Sequence, residues 1–224
     1  MPRIYFQQQL ATLKDRLLAM AGLAQQALEL SIEAYLTQDA QIAAHVQEVE
    51  REINSAERSV DEMAYDLLAT EQPMAVDLRF ILSVIKINSD LERVGDQSAN
   101  IAERVVGASK GSHLELPVDI RGMGERVGVM IRSAIQALVE ADAKLAEQVL
   151  AMDDEIDDRN HVIQNVLLEL MQERPAMSDH ALNAILVSRN LERAADHATN
   201  IAEDVIFWVR GSDVRHRLHL VEAD

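Results

Sequence analysis

The chain has 224 residues, a formal net charge of −17, 48% hydrophobic and 3% aromatic residues, and no cysteine. That much apolar material can bury a core, which argues against wholesale disorder, and the missing thiols exclude disulfides, thiolate metal sites and cysteine nucleophiles. The negative charge argues against nucleic-acid and anionic-membrane partners and invites metal cations instead.

Only 8 Gly and 4 Pro interrupt a composition rich in Ala, Leu, Glu and Val, residues that lose little freedom in a helix. In chain order, apolar spacing predicts helices over about 6–37, 39–70, 75–106, 119–141, 143–172 and 178–210. Short joints at Asp39 and Asp142 make the neighbouring helices antiparallel. Pro73 and Pro175 close two further hairpins, and Gly107-Ala108-Ser109-Lys110-Gly111-Ser112 before Pro117 reads as a loop. The opening MPRIYFQQQLATLKDRL has no signal-peptide core, and nowhere do 18 uncharged apolar residues run together. No membrane insertion is expected, and the expected setting is the cytoplasm.

The chain repeats itself. SDLERVGDQSANIAERV at 89–105 returns as RNLERAADHATNIAEDV at 189–205, with nine of the sixteen positions from Asp90 and Asn190 identical. A shift of 103 also superposes Asp39 on Asp142, Ile42 on Leu145, Val46 on Val149 and Ile53 on Ile156; after the prolines the shift becomes 100. The fold expected is all-α: an internal duplication giving two three-helix bundles, 1–106 and 119–210, with linker 107–118 and C-terminal tail 211–224.

Each copy places like charges four residues apart, Glu92 with Asp96 and Glu192 with Asp196. On an isolated helix such a pair costs a few tenths of a kcal/mol. On a helical wheel Asn100 and Glu103 join the first pair within about 80°, with Asn200 and Glu203 repeating the stripe. Folding each hairpin about its proline sets Glu50 level with Asp96 and Asn54 level with Glu92. In the second copy Asp153 and Asp157 stand level with Asp196 and Glu192. Carboxylates gathered at one height with no lysine among them repel unless cations or protons intervene. The metal ligands expected are therefore Glu50, Glu92, Asp96, Asp153, Asp157, Glu192 and Asp196, with Asn54, Asn100 and Asn200 as weaker or supporting ligands. Oxygen donors without Cys favour hard ions such as Mg²⁺, Ca²⁺, Mn²⁺ or ferric iron.

Glu57 and Asp61 form another four-spaced pair, which the same register sets opposite Ser89 and Ile85 and so reads as solvated surface. His197 reads as a surface or interhelix histidine. No histidine has Glu three residues before it, which weakens a ferritin-like di-iron oxidase. A carboxylate-bridged hydrolase or oxidase is one alternative and a purely structural scaffold another, but no nucleophile motif or glycine-rich phosphate cradle supports catalysis. The chain is read as no enzyme.

Leu-Glu-Arg-x-x-Asp at 91–96 and 191–196 resembles the paired E(D)xxxD signature of the PhoU family, phosphate-transport accessory proteins. Asp77-Leu78-Arg79 after Pro73 and the stretch from Val205 to His216 are similar to other parts of that family's pattern. The resemblance implies two three-helix bundles, a homodimer, and multinuclear clusters of Fe, Mn or Mg at the acidic pairs. It implies a regulator that restrains the phosphate-starvation response. Its partners would be the phosphate ABC transporter, through the ATPase subunit, and the sensor histidine kinase, with the chain held peripherally at membrane complexes. Asn54 stands where the pattern has a second acid, so the first copy is expected to bind metal more weakly.

Overall fold

A computed structural model describes residues 3–106, 116–212 and 214, so most of the expected linker and tail lies outside the described residues. Seven helices follow in order: α1 Arg3–Thr37, α2 Ala40–Glu71, α3 Val76–Val106, α4 Ile120–Glu140, α5 Ala143–Leu150, α6 Asp153–Glu173 and α7 Ser178–Arg210. Helices α1–α3 form one three-helix bundle and α4–α7 the other.

The duplicated joints share one local chemistry. Gln38 and Ala141 both take the left-handed conformation, at φ 55 and 53, and the next helix is capped by an aspartate in each copy. Asp39 Oδ1 accepts from the amides of Gln41 and Ile42 (2.7 and 3.2 Å), and Asp142 Oδ1 from those of Lys144 and Leu145 (2.8 and 3.2 Å). Each aspartate satisfies amides that an uncapped helix start would leave open. The left-handed residue before it reverses the chain.

The fifth expected helix is two helices. Its counterpart α2 is continuous, yet α5 stops at Leu150 and α6 starts at Asp153. Asp153, Asp154 and Glu155 fill the first turn of α6. Consecutive acids are poor in a helix interior but favourable at a helix N-terminus, where the dipole is positive. The break sets these acids in a first turn and not in a helix interior.

The two bundles share one core. Leu13, Leu17 and Met20 of α1, Ile81, Val84 and Leu91 of α3, and Val187, Leu191 and Ile201 of α7 belong to a single buried apolar cluster. Helices α3 and α7 lie antiparallel at its centre, stitched by polar contacts along their length. Asp204, 6% exposed, accepts from Lys86 Nζ (2.9 Å) on its carboxylate and from Ser83 Oγ (2.9 Å) on its backbone carbonyl. Arg79 Nε donates to the carbonyl of Trp208 (3.2 Å), and the Trp208 ring lies 5.0 Å from that of Phe80. Gly211 ends α7 at φ 73, so close to Arg79 that a Cβ there would stand 3.3 Å from the guanidinium carbon. The Asp77-Leu78-Arg79 segment thus holds the end of the last helix. Among the described residues no helix is long and apolar enough to cross a membrane.

Candidate functional site

In the second copy the structure assembles the four acids that the hairpin register selects. Helix α6 supplies Asp153 and Asp157; α7 supplies Glu192 and Asp196 one turn apart. Burial and then the neighbouring charges of Asp157, Asp196, Asp154 and Glu192 push the Asp153 carboxyl up from 3.8 to about 6. Asp196 is raised by desolvation and by Asp157, against the pull of His197 and Arg193. Glu192 is raised by desolvation, Asp196 and Asp157, with Arg193 and Arg189 opposing. The acids feel one another, and burial together with their mutual charge leaves these carboxyls raised in spite of the flanking cations.

The first copy is built alike but from a different set. Glu92 is raised by desolvation and then by Asp96, Glu57 and Glu50, with only Arg93 opposing. Arg93 lies 3.6 Å from Glu92 and 3.8 Å from Asp96, on the exposed side of both. Asn54 donates to Glu50 one turn before it on α2.

Glu57 corrects the sequence expectation. Rather than solvated surface, it is half-buried and within electrostatic reach of both Glu92 and Asp96, its carboxyl raised by desolvation, by Asp61 and by Asp96. Glu50, Asn54, Glu57 and Asp61 follow i, i+4, i+7, i+11 spacing, one face of α2. That signal was available in the sequence. A register counted by Cα position missed it, because helical side chains lean toward the N-terminus and carry Glu57 back to the height of Glu92. Asp61 is also half-buried and accepts from Asn88 Nδ2 (2.9 Å). Glu57 thus joins Glu50 and Asp96 among the acids that act on Glu92.

The asparagines of the stripe stand elsewhere. Asn200 reaches across to α3 and donates to Asp90 Oδ1 (3.1 Å), the oxygen that also meets His197 Nδ1 (2.9 Å). Its amide serves the contact between bundles and not the acidic groove. No hydrogen bond joins the side chain of Asn100 to Glu92 or Asp96, and its backbone carbonyl accepts from Arg104 (3.4 Å).

The donor set fits a hard cation in kind. Each groove holds a buried oxygen with no hydrogen-bond partner, Asn54 Oδ1 in the first copy and Asp153 Oδ1 in the second. Unpaired buried acceptors beside carboxylates with raised pKa values are the state a cation relieves. The side chains are gathered but not closed: among the described residues no three His, Asp or Glu side chains already surround a point that could hold a metal ion.

Fold and acids together define a class: a tandem three-helix-bundle protein that gathers a cluster of acids on the second-to-third-helix hairpin of each copy. The family model described as the PhoU domain matches residues 17–105 and again 120–205, the two copies in turn. The chain belongs to the PhoU family. It is 39% identical over 94% of its length to a Pseudomonas putida protein named phosphate-specific transport system accessory protein PhoU homolog, of which it covers 83%. It is 32% identical over 98% of its length to PhoU homolog 1 of Thermotoga maritima, of which it covers 95%. The crystal structure of PhoU from Pseudomonas aeruginosa superposes with a TM-score of 0.86 at 36% identity, covering 92% of this chain and all of that one.

Proposed function

We propose that this chain is a cation-dependent regulatory adaptor of a phosphate-specific transport system. In this reading it is a cytoplasmic homodimer that meets the phosphate transporter's ATPase subunit and the sensor histidine kinase at the membrane. It restrains the phosphate-starvation response when phosphate is plentiful. The observation that carries the cation-dependent part is the repeated cluster of acids with its unpaired buried oxygen; the transport role rests on the names of the relatives.

Asp153, Asp157, Glu192 and Asp196 would hold the metal in the second copy, and Glu50, Glu57, Glu92 and Asp96 in the first, Asn54 assisting. Iron, manganese or magnesium would supply positive charge there and nothing catalytic. The chain's own part is to keep the acids in place: buried Ile156 and Ile53 anchor the second helix of each hairpin, and Leu191 and Leu91 anchor the third. With the repulsion neutralised, the two legs of each hairpin are tied together, presenting partners with one fixed surface.

The test is elemental analysis of freshly purified protein beside pull-down with the transporter's ATPase subunit and the kinase. Bound metal that is lost in Asp96→Asn/Asp196→Asn, with folding kept and partner capture weakened, supports the reading. Unchanged metal content in that variant, or phosphatase turnover by the metal-loaded protein, would sink it.

A further inference from the structure

The outward face of the first half of α1 differs from the acidic character of the chain as a whole. From Ile4 to Gly22 the only charged residues are Lys14, Asp15 and Arg16, one acid against two bases in a chain of net charge −17. Arg16 is turned to Ser59 of α2 (2.8 Å), and Lys14 keeps two N–H donors after bonding the carbonyl of Val139 (2.8 Å). Ile4, 73% exposed, lines an apolar groove of about 460 Å³ with Gln7, Gln8 and Ala11. Ile4, Ala11 and Leu18 recur every seven residues along this face, with Lys14 on one flank of their line and Asp15 on the other.

Gly22 falls on the same line and is a second sign. It stands exposed in the interior of a 35-residue helix, where glycine is a weak helix former. A Cβ built there would meet nothing within 4 Å, so no contact inside the chain requires the missing side chain. A bare backbone on an exposed helix face lets another backbone come close.

We propose that this face of α1 seats a second copy of the chain, the two α1 helices lying parallel about a two-fold axis that runs along them. Three features name the occupant. A two-fold contact needs a surface complementary to itself. With Lys14 and Asp15 on opposite flanks, the axis sets each of them against the other residue of the second copy, so two ion pairs form at one height. Two copies of a chain at −17 repel over most of their surface, and this stretch lets them meet without acid facing acid. The seven-residue line then pairs Ile4, Ala11 and Leu18 with themselves, while Ala11 and Gly22 keep the helices close. The inference names the face for the homodimer of the proposed function and rests on that part of it. The cation reading is untouched, since none of the proposed metal ligands lies on α1.

Sedimentation equilibrium should find the parent chain dimeric, with Kd of about 10 μM or tighter. Gly22→Gln puts a side chain on the bare stretch and should weaken the dimer at least about tenfold. Asp15→Lys sets like charges together twice and should weaken it as much. Lys14→Glu should do the same, yet an equal mixture of the Asp15→Lys and Lys14→Glu proteins should form heterodimers, because each charge then meets its opposite. Melting curves check folding; should Lys14→Glu unfold for want of its Val139 contact, Gly22→Gln and Asp15→Lys still decide the matter. A parent chain that stays monomeric at about 100 μM overturns this face and the homodimer of the proposed function together. A dimer that Gly22→Gln and Asp15→Lys both leave intact overturns the face alone.

Discussion

The first and second copies began as one design and now solve the same electrostatic problem with different residues. At the height of the acidic pairs the first copy has Glu50, Asn54 and Glu57 on a continuous α2; the second has Asp153 and Asp157 on a helix that starts afresh there. Where the first carries Glu57, the second carries Asn160, buried and accepting from Ser188 Oγ (2.9 Å) and Gln164 Nε2 (3.0 Å). An acid in one copy has become part of a neutral hydrogen-bonded latch in the other. The preserved quantity is the gathering of negative charge, not the identity of each ligand. Across the seam the exchange is also lopsided: Asp90 receives His197 and Asn200, while its counterpart Asn190 donates back to Leu186 of its own helix (2.9 Å).

The largest effects test whether the copies stand or fall together. Leu91→Ala and Leu191→Ala each empty a fully buried site and should cost about 2–5 kcal/mol. Because one core runs through both bundles, each variant should still melt in a single transition; calorimetry resolving two would break the shared-core description.

Metal content separates the copies. Asp153→Asn with Asp157→Asn should remove cations from the second groove alone, whereas Glu57→Gln should lower occupancy of the first alone. Elemental stoichiometry reads both. A Glu57→Gln variant with full occupancy would return that residue to the status of plain surface.

A pH titration of chelator-treated protein sharpens the point. Asp153 has an ordinary value of 3.8 and a folded value of about 6, so the folded chain takes up a proton the unfolded chain has released. Its contribution to stability is present below about pH 4 and is lost as pH rises through about 6, amounting to roughly 1 kcal/mol after discounting for solvent access. Glu92, Glu57, Glu192 and Asp196 shift in the same direction. The cation-free melting temperature should therefore fall between pH 4 and 7, Asp153→Asn should flatten the decline, and added cation should restore it.

The smallest expected effect lies at the close approach of α2 to α3. A Cβ on Gly95 would stand 2.9 Å from Ile53 Cδ1, while the second copy tolerates Ala195 opposite Ile156. Gly95→Ala should cost no more than about 1 kcal/mol, since the obstacle is the tip of a side chain that can turn. Chemical denaturation measures it, and a loss above 3 kcal/mol would mean that the two hairpins pack less alike than their sequences suggest.

Much of this was legible in the residues. The 103-residue offset, the aspartates at 39 and 142 and the prolines at 73 and 175 fixed helix order and both hairpins, because caps and breakers act locally. Period 3.6 put Glu192 and Asp196 on one face, and the hairpin register brought Asp153 and Asp157 to them. Such quantities depend on a few neighbours along the chain.

Only the tertiary structure decided the rest. The lean of Glu57 into the first groove, the turn of Asn200 and His197 toward Asp90, and the fusion of two bundles into one core all depend on how α2, α3 and α7 sit against one another. The break before Asp153 belongs with them. Side-chain direction and interhelical placement are set by packing in three dimensions, a balance to which a helical period read along one chain is blind.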